Sequence, residues 1–108
     1  MNKSASHLFF LGPRTSVNPE NILFLEADVN YTDIHYQNGK IQTLSVTLKR
    51  VLKAIENEGS YVRISLKHAI NKRCITSVSK DSVRIKGGTT LKASRRRKRL
   101  LEELGQTA

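Results

Sequence analysis

The chain has no tryptophan, a single cysteine and only nine acidic residues among its 108. Each shortage closes off a class of function. One thiol forbids an intrachain disulfide and fits a reducing, cytoplasmic setting. Cys74 lies in the apolar run Cys74-Ile75-Thr76-Ser77-Val78, so it reads as a buried structural thiol. With so few carboxylates, a paired acid–base site is hard to build. His7, His35, His68 and Cys74 show no ligand spacing of a usual zinc site, so no metal is expected and binding should not depend on one. There is no Walker-type loop, dinucleotide fingerprint or nucleophile–base constellation, and neither enzymatic activity nor a cofactor is expected. His7-Leu8-Phe9-Phe10-Leu11 is too short for a signal-peptide core or a membrane span.

What the chain has in excess is positive charge. Nineteen Lys+Arg against nine Asp+Glu give a formal net charge of +10. Up to Gly59 there are six of each sign; from Ser60 onward there are thirteen basic and three acidic residues. The whole excess therefore sits in the second half. Such asymmetry marks a binding surface for a polyanion, nucleic acid first and an anionic membrane or acidic protein second. The length allows one domain, residues 1–108, with a single modest core.

Short β-type runs recur between turn signals. Leu8–Leu11 ends at Gly12-Pro13, and Ile22-Leu23-Phe24-Leu25 reads as a buried strand. Tyr31–Tyr36 is rich in aromatic and β-branched residues. Asn38-Gly39 follows as a hairpin turn, with Lys40–Leu44 as the returning strand. In Thr47–Glu56 the period changes: Leu48, Val51, Leu52 and Ile55 fall on one helical face, with Thr47 as N-cap and Gly59 just past the end. Lys49, Arg50 and Lys53 form that helix's solvated side. Tyr61–Leu66 alternates, which predicts Val62, Ile64 and Leu66 on one face and Arg63 and Ser65 on the other. Ile75–Val78 and Val83–Ile85 are further strands, Gly87-Gly88 a turn and Thr89–Ala93 the last strand. The expected fold is mainly β, a sandwich or several small packed sheets.

The last segment places Arg95-Arg96-Arg97-Lys98-Arg99 at the start of a short helix that Ser94 caps and Gly105 ends. These charges oppose the helix dipole, at about 0.3–1 kcal/mol each, so helix stability does not explain them. An external anion does: a phosphate there meets backbone N–H groups and guanidinium forks together.

The order of the segments resembles the LytTR family, the LytR/AgrA/AlgR-like DNA-binding domain of bacterial regulators, over about Leu8 to Leu104. Asn21–Ala27 resembles the family's "dIlyiea" strand and Asn30–Lys40 its "nYt-ihl-dGk" hairpin. Thr47-Leu48 and the helix after them resemble "tLkel". Arg63–Asn71 resembles "RihrSylVN", and Ala93–Arg97 the C-terminal "vSRr". The resemblance implies an elongated sandwich of small antiparallel sheets with one or two short helices. It also implies loops that enter successive major grooves of double-stranded DNA at promoter direct repeats, with a second copy on the adjacent repeat. By position the reading loops are Asn30-Tyr31-Thr32, Ser65-Leu66-Lys67 and Ser94-Arg95-Arg96. Arg97 and Lys72 are counted with the DNA contacts. Arg96 matches the family's base-reading arginine, whose fork suits the O6/N7 edge of guanine.

The second loop departs from the pattern. Leu66 stands where a polar or basic reader is usual, Lys67 where Ser is usual, and His68 where an aromatic is usual. Either Lys67 adds a phosphate contact or Leu66 touches a thymine methyl. The family usually forms the output domain of a response regulator or follows a membrane sensor. Here the resemblance starts almost at the first residue, so no receiver domain is expected and the chain is either a stand-alone protein of this type or an excised domain. A transcription regulator on promoter DNA is thus the first functional reading. A basic RNA-binding or ribosome-associated β domain is the alternative; it needs surface aromatics for stacking, and most Phe and Tyr here fall on core strands. A third reading is a basic tail gripping an acidic protein partner.

Overall fold

The computed structural model describes residues 6–7, 16–56 and 60–107. The expected strand at Leu8–Leu11 and the helix end at Gly59 lie outside them. Ten strands and two helices follow in order: β1 (Ser6–His7), β2 (Ser16–Val17), β3 (Ile22–Asp28), β4 (Tyr31–Tyr36), β5 (Ile41–Leu44), α1 (Leu48–Ile55), β6 (Tyr61–Arg63), β7 (His68–Asn71), β8 (Ile75–Val78), β9 (Ser82–Ile85), β10 (Thr90–Lys92) and α2 (Lys98–Thr107). Every pairing is antiparallel. A central sheet has the order β5-β4-β3-β7-β6, a second sheet the order β10-β9-β8, and β1 pairs with β2. The mainly β expectation holds. Among the described residues no helix is long and apolar enough to cross a membrane.

The central sheet carries an apolar cluster on each face, and a bulge in β3 decides which of its residues serves which. Ile22 pairs with Tyr36, but the next pair is Phe24 with His35, so Leu23 is the extra residue. The bulge turns Ile22 and Leu25 to one face and Phe24 to the other. On the first face Ile22, Leu25, Ile34, Leu44 and Ala69 pack against Leu48, Val51 and Ile55 of α1. On the second, Phe24, Val62, Ile64 and Ile70 meet Val83, Ile85 and Leu91 of the smaller sheet and Leu101 of α2. The continuous apolar run Ile22–Leu25 exists because this strand serves two cores.

The local signals act as their chemistry requires. The Thr47 side chain accepts from the Arg50 N–H and starts α1. In the Asn38-Gly39 turn, Gly39 takes φ +93° and the Asn38 side chain accepts from the Lys40 N–H. Cys74 is fully buried with Sγ 3.6 Å from the Ile22 carbonyl; burial pushes its thiol pKa up, which suits a structural role.

Three expectations need correction. Leu66 does not share the buried face of Val62 and Ile64: β6 stops at Arg63, the chain turns, and Leu66 is 82% exposed. The segment after Ser94 is not one helix. Arg95–Arg97 form a single 3-10 turn, and Ser94 closes it with its backbone carbonyl, accepting from the Arg97 N–H at 3.0 Å, while its side chain makes no cap. Nor does Gly105 end the helix, since α2 continues to Thr107.

Candidate nucleic-acid interface

Three connections converge at one end of the central sheet: the β3–β4 turn, the β6–β7 loop and the β10–α2 link. The backbone ties them directly. The Ala27 N–H donates to the Lys67 carbonyl at 2.7 Å, and the Ser94 N–H donates to the Ile64 carbonyl at 2.8 Å. The β6–β7 loop therefore lies between the other two.

That middle loop is held from inside. Ser65 Oγ accepts from the N–H groups of Lys67 and His68, while the Ile64 N–H donates to the His68 carbonyl. Arg63 turns inward, with Nε donating to the Ser65 carbonyl at 3.1 Å and Nη2 to the Leu66 carbonyl at 2.8 Å. Arg97, half-buried, donates through Nη1 to the Arg63 carbonyl at 3.0 Å. Burial and then the neighbouring Arg97 charge lower the Arg63 pKa, though a guanidinium stays charged. Two arginines thus position the loops that others display, and their mutual repulsion is relieved by any anion placed on this end.

The displayed side chains are Asn30, Tyr31, Leu66, Lys67, Arg95 and Arg96, all exposed. Among the described residues no carboxylate pairs with Arg95 or Arg96, and Lys67 reaches only Glu26, at 4.0 Å. The turn also carries Val29, which is 87% exposed at φ +56°. A β-branched residue rarely adopts that left-handed conformation, so the loop stores strain. Val29 was not recognised as a loop-tip residue from the sequence, because apolar character suggests burial; Leu66 was placed in a loop by the family resemblance, against its strand alternation.

Of the residues named from the sequence, Asn30, Tyr31, Ser65, Lys67, Ser94, Arg95, Arg96 and Arg97 come together here. Thr32 does not display its side chain. It is fully buried and its Oγ1 donates to the Val46 carbonyl at 2.7 Å, because alternation in β4 puts Thr32 on the α1 face with Ile34 and Tyr36. Lys72 lies elsewhere too. It follows the far end of β7, about 13 Å along the strand from the loop, and lines a groove with Lys49, Lys53, Tyr61 and Arg63.

The family model described as "LytTr DNA-binding domain" matches residues 14–106. A solved LytTr DNA-binding domain from Bacillus cereus superposes with a TM-score of 0.73, covering 95% of this chain and 97% of that one at 17% identity, a likeness of fold. No curated protein matches the sequence. A match over nearly the whole chain, on the architecture just described, makes this protein a member of the LytTr DNA-binding domain family.

Proposed function

We propose that the loop end of the central sheet is the surface that reads double-stranded DNA, and that the chain acts there as a transcription regulator at promoter direct repeats. The observation carrying this reading is the convergence of three tied loops that display Lys67, Arg95 and Arg96, with Glu26 at 4.0 Å from Lys67 the one carboxylate paired to them among the described residues. Arg96 is the base reader, its fork spanning two acceptors of one guanine edge. Lys67 and Arg95 grip phosphates. Val29, Tyr31 and Leu66 offer apolar contact to thymine methyls. Successive loops enter successive major grooves, and a second copy occupies the adjacent repeat. The alternative, single-stranded RNA, wants stacking aromatics, and Tyr31 is the one exposed aromatic among the described residues.

The test compares two variants on a duplex selected from a random pool and on scrambled duplex, across salt concentrations. Wild-type affinity should fall with a log–log salt slope of roughly −5 if about 6 phosphates are neutralised. Arg96→Ala should cost about 1–3 kcal/mol on the selected site and relax one base pair of preference, with little effect on scrambled DNA. Lys67→Ala should weaken both duplexes alike and flatten the slope by about 1. Proportional loss on both duplexes for Arg96→Ala, with base preference intact, removes the reading role from Arg96.

A further inference from the structure

Beneath the β6–β7 loop, three strands place two imidazoles and two carboxylates on one face of the central sheet. Glu26 on β3 is the cross-strand partner of Asp33 on β4 and of His68 on β7. His35 lies two residues beyond Asp33 and so shares its face. The His35 Nε2 is 3.2 Å from Glu26 Oε1, and the His68 Nε2 is 3.2 Å from Glu26 Oε2. One donor atom each from Glu26, Asp33 and His35 lie within 4.8 Å of one another. We propose that Glu26, Asp33 and His35 form a binding site for a divalent transition-metal ion, zinc foremost, with solvent as the fourth ligand and His68 holding the second Glu26 oxygen.

The spacing suits such an ion. Ligand atoms about 2.1 Å from a tetrahedral metal stand about 3.4 Å apart, and Glu26 Oε1 and His35 Nε2 are already 3.2 Å apart. The donor set selects the metal class, because imidazole nitrogen with carboxylate oxygen fits zinc and its neighbours, whereas magnesium and calcium prefer oxygen alone. The ligands are also held in place. His35 stacks on Phe24 with centroids 4.2 Å apart and 8° between planes, and His68 meets the same ring edge-on at 5.9 Å. Thr43 Oγ1 donates to Asp33 Oδ1 at 2.6 Å, an outer contact that orients a ligating carboxylate. All three ligands are half-buried, shielded but reachable from solvent. Without metal, the Nε2–H groups of His35 and His68 donate to Glu26; with metal, neutral His35 carries its proton on Nδ1 and offers the Nε2 lone pair to the ion, while His68 keeps its bond to Glu26 Oε2. Sequence spacing conceals the site because its ligands come from two strands.

The experiment is cobalt(II) titration of the tag-free full chain, read by visible d–d absorption, followed by displacement with zinc. Wild type should give the intense spectrum of a four-coordinate ion with one equivalent bound. Asp33→Asn and His35→Ala should each weaken cobalt at least tenfold, with far-UV circular dichroism unchanged. Cys74→Ala should leave the spectrum intact. No cobalt spectrum from wild type overturns the proposal and leaves Glu26 as an ordinary ion-pair partner of the two histidines. Unchanged affinity in Asp33→Asn and His35→Ala, or loss of the spectrum in Cys74→Ala, overturns it as well.

Discussion

Replacing Asn71 by Ala should destabilise the domain by about 3 kcal/mol while leaving the loops proposed to face DNA chemically untouched. Asn71 ends β7 and is 4% exposed. Its Nδ2 donates to the Ile22 carbonyl at 2.7 Å, joining the start of β3 to the end of β7 across 49 residues of sequence. Its Oδ1 accepts from the Arg73 N–H at 3.0 Å and caps the 3-10 turn Lys72–Cys74. Alanine leaves the Ile22 carbonyl with only the weak, long Cys74 thiol contact, and an unsatisfied buried acceptor costs about 1–3 kcal/mol. Loss of the cap adds about 1 kcal/mol. At about 4–8 °C per kcal/mol, the midpoint of thermal unfolding should fall by about 12–24 °C. Asn71→Asp separates the two effects: it keeps an acceptor for Arg73 but sets a carboxylate oxygen against the Ile22 carbonyl, so it should be no more stable than Asn71→Ala. Urea unfolding followed by circular dichroism measures both, since the chain has no tryptophan. A loss under 1 kcal/mol in Asn71→Ala, or native stability in Asn71→Asp, would refute the argument.

Two further variants probe the frame that carries the loops. Val29→Asn should raise stability by up to about 1 kcal/mol, because asparagine tolerates the left-handed backbone and an exposed valine loses no burial; a lower urea midpoint would contradict the strain assigned to this turn. Leu101→Ala should cost about 2–5 kcal/mol, since Leu101 is the fully buried anchor of α2 against Val83, Ile85 and Leu91; a change within 0.5 kcal/mol, a surface-like effect, would mean α2 is not docked there.

Elements with strong local chemistry were legible in the sequence. The α1 face, the Thr47 cap and the Asn38-Gly39 hairpin each follow from a few adjacent residues, and the structure places them as read. What failed depended on distant partners. Leu66 continues the alternation of Val62 and Ile64 on paper, but the strand ends where Arg63 folds back onto the Ser65 and Leu66 carbonyls. Thr32 lies next to loop residues in sequence, yet the pleat of β4 and the Val46 carbonyl take it inside. Ser94 has the right residue type for a side-chain cap, but its own N–H is engaged by Ile64 and the chain enters a 3-10 turn. The basic run was visible from the start. That Arg97 would tether a loop while Arg95 and Arg96 stay displayed could come only from the packing of β6 beneath it.

The central claim is that DNA lies across the loop end and not across the second basic surface, the groove lined by Lys49, Lys53 and Lys72. Amide chemical-shift mapping of the isotope-labelled chain, titrated with the selected duplex, tests this most directly. The account predicts that the largest shifts fall on Val29, Asn30, Tyr31, Leu66, Lys67, Arg95 and Arg96, with α1 and Lys72 nearly still. Shifts concentrated on Lys49, Lys53 and Lys72, with the three loops unmoved, would contradict it.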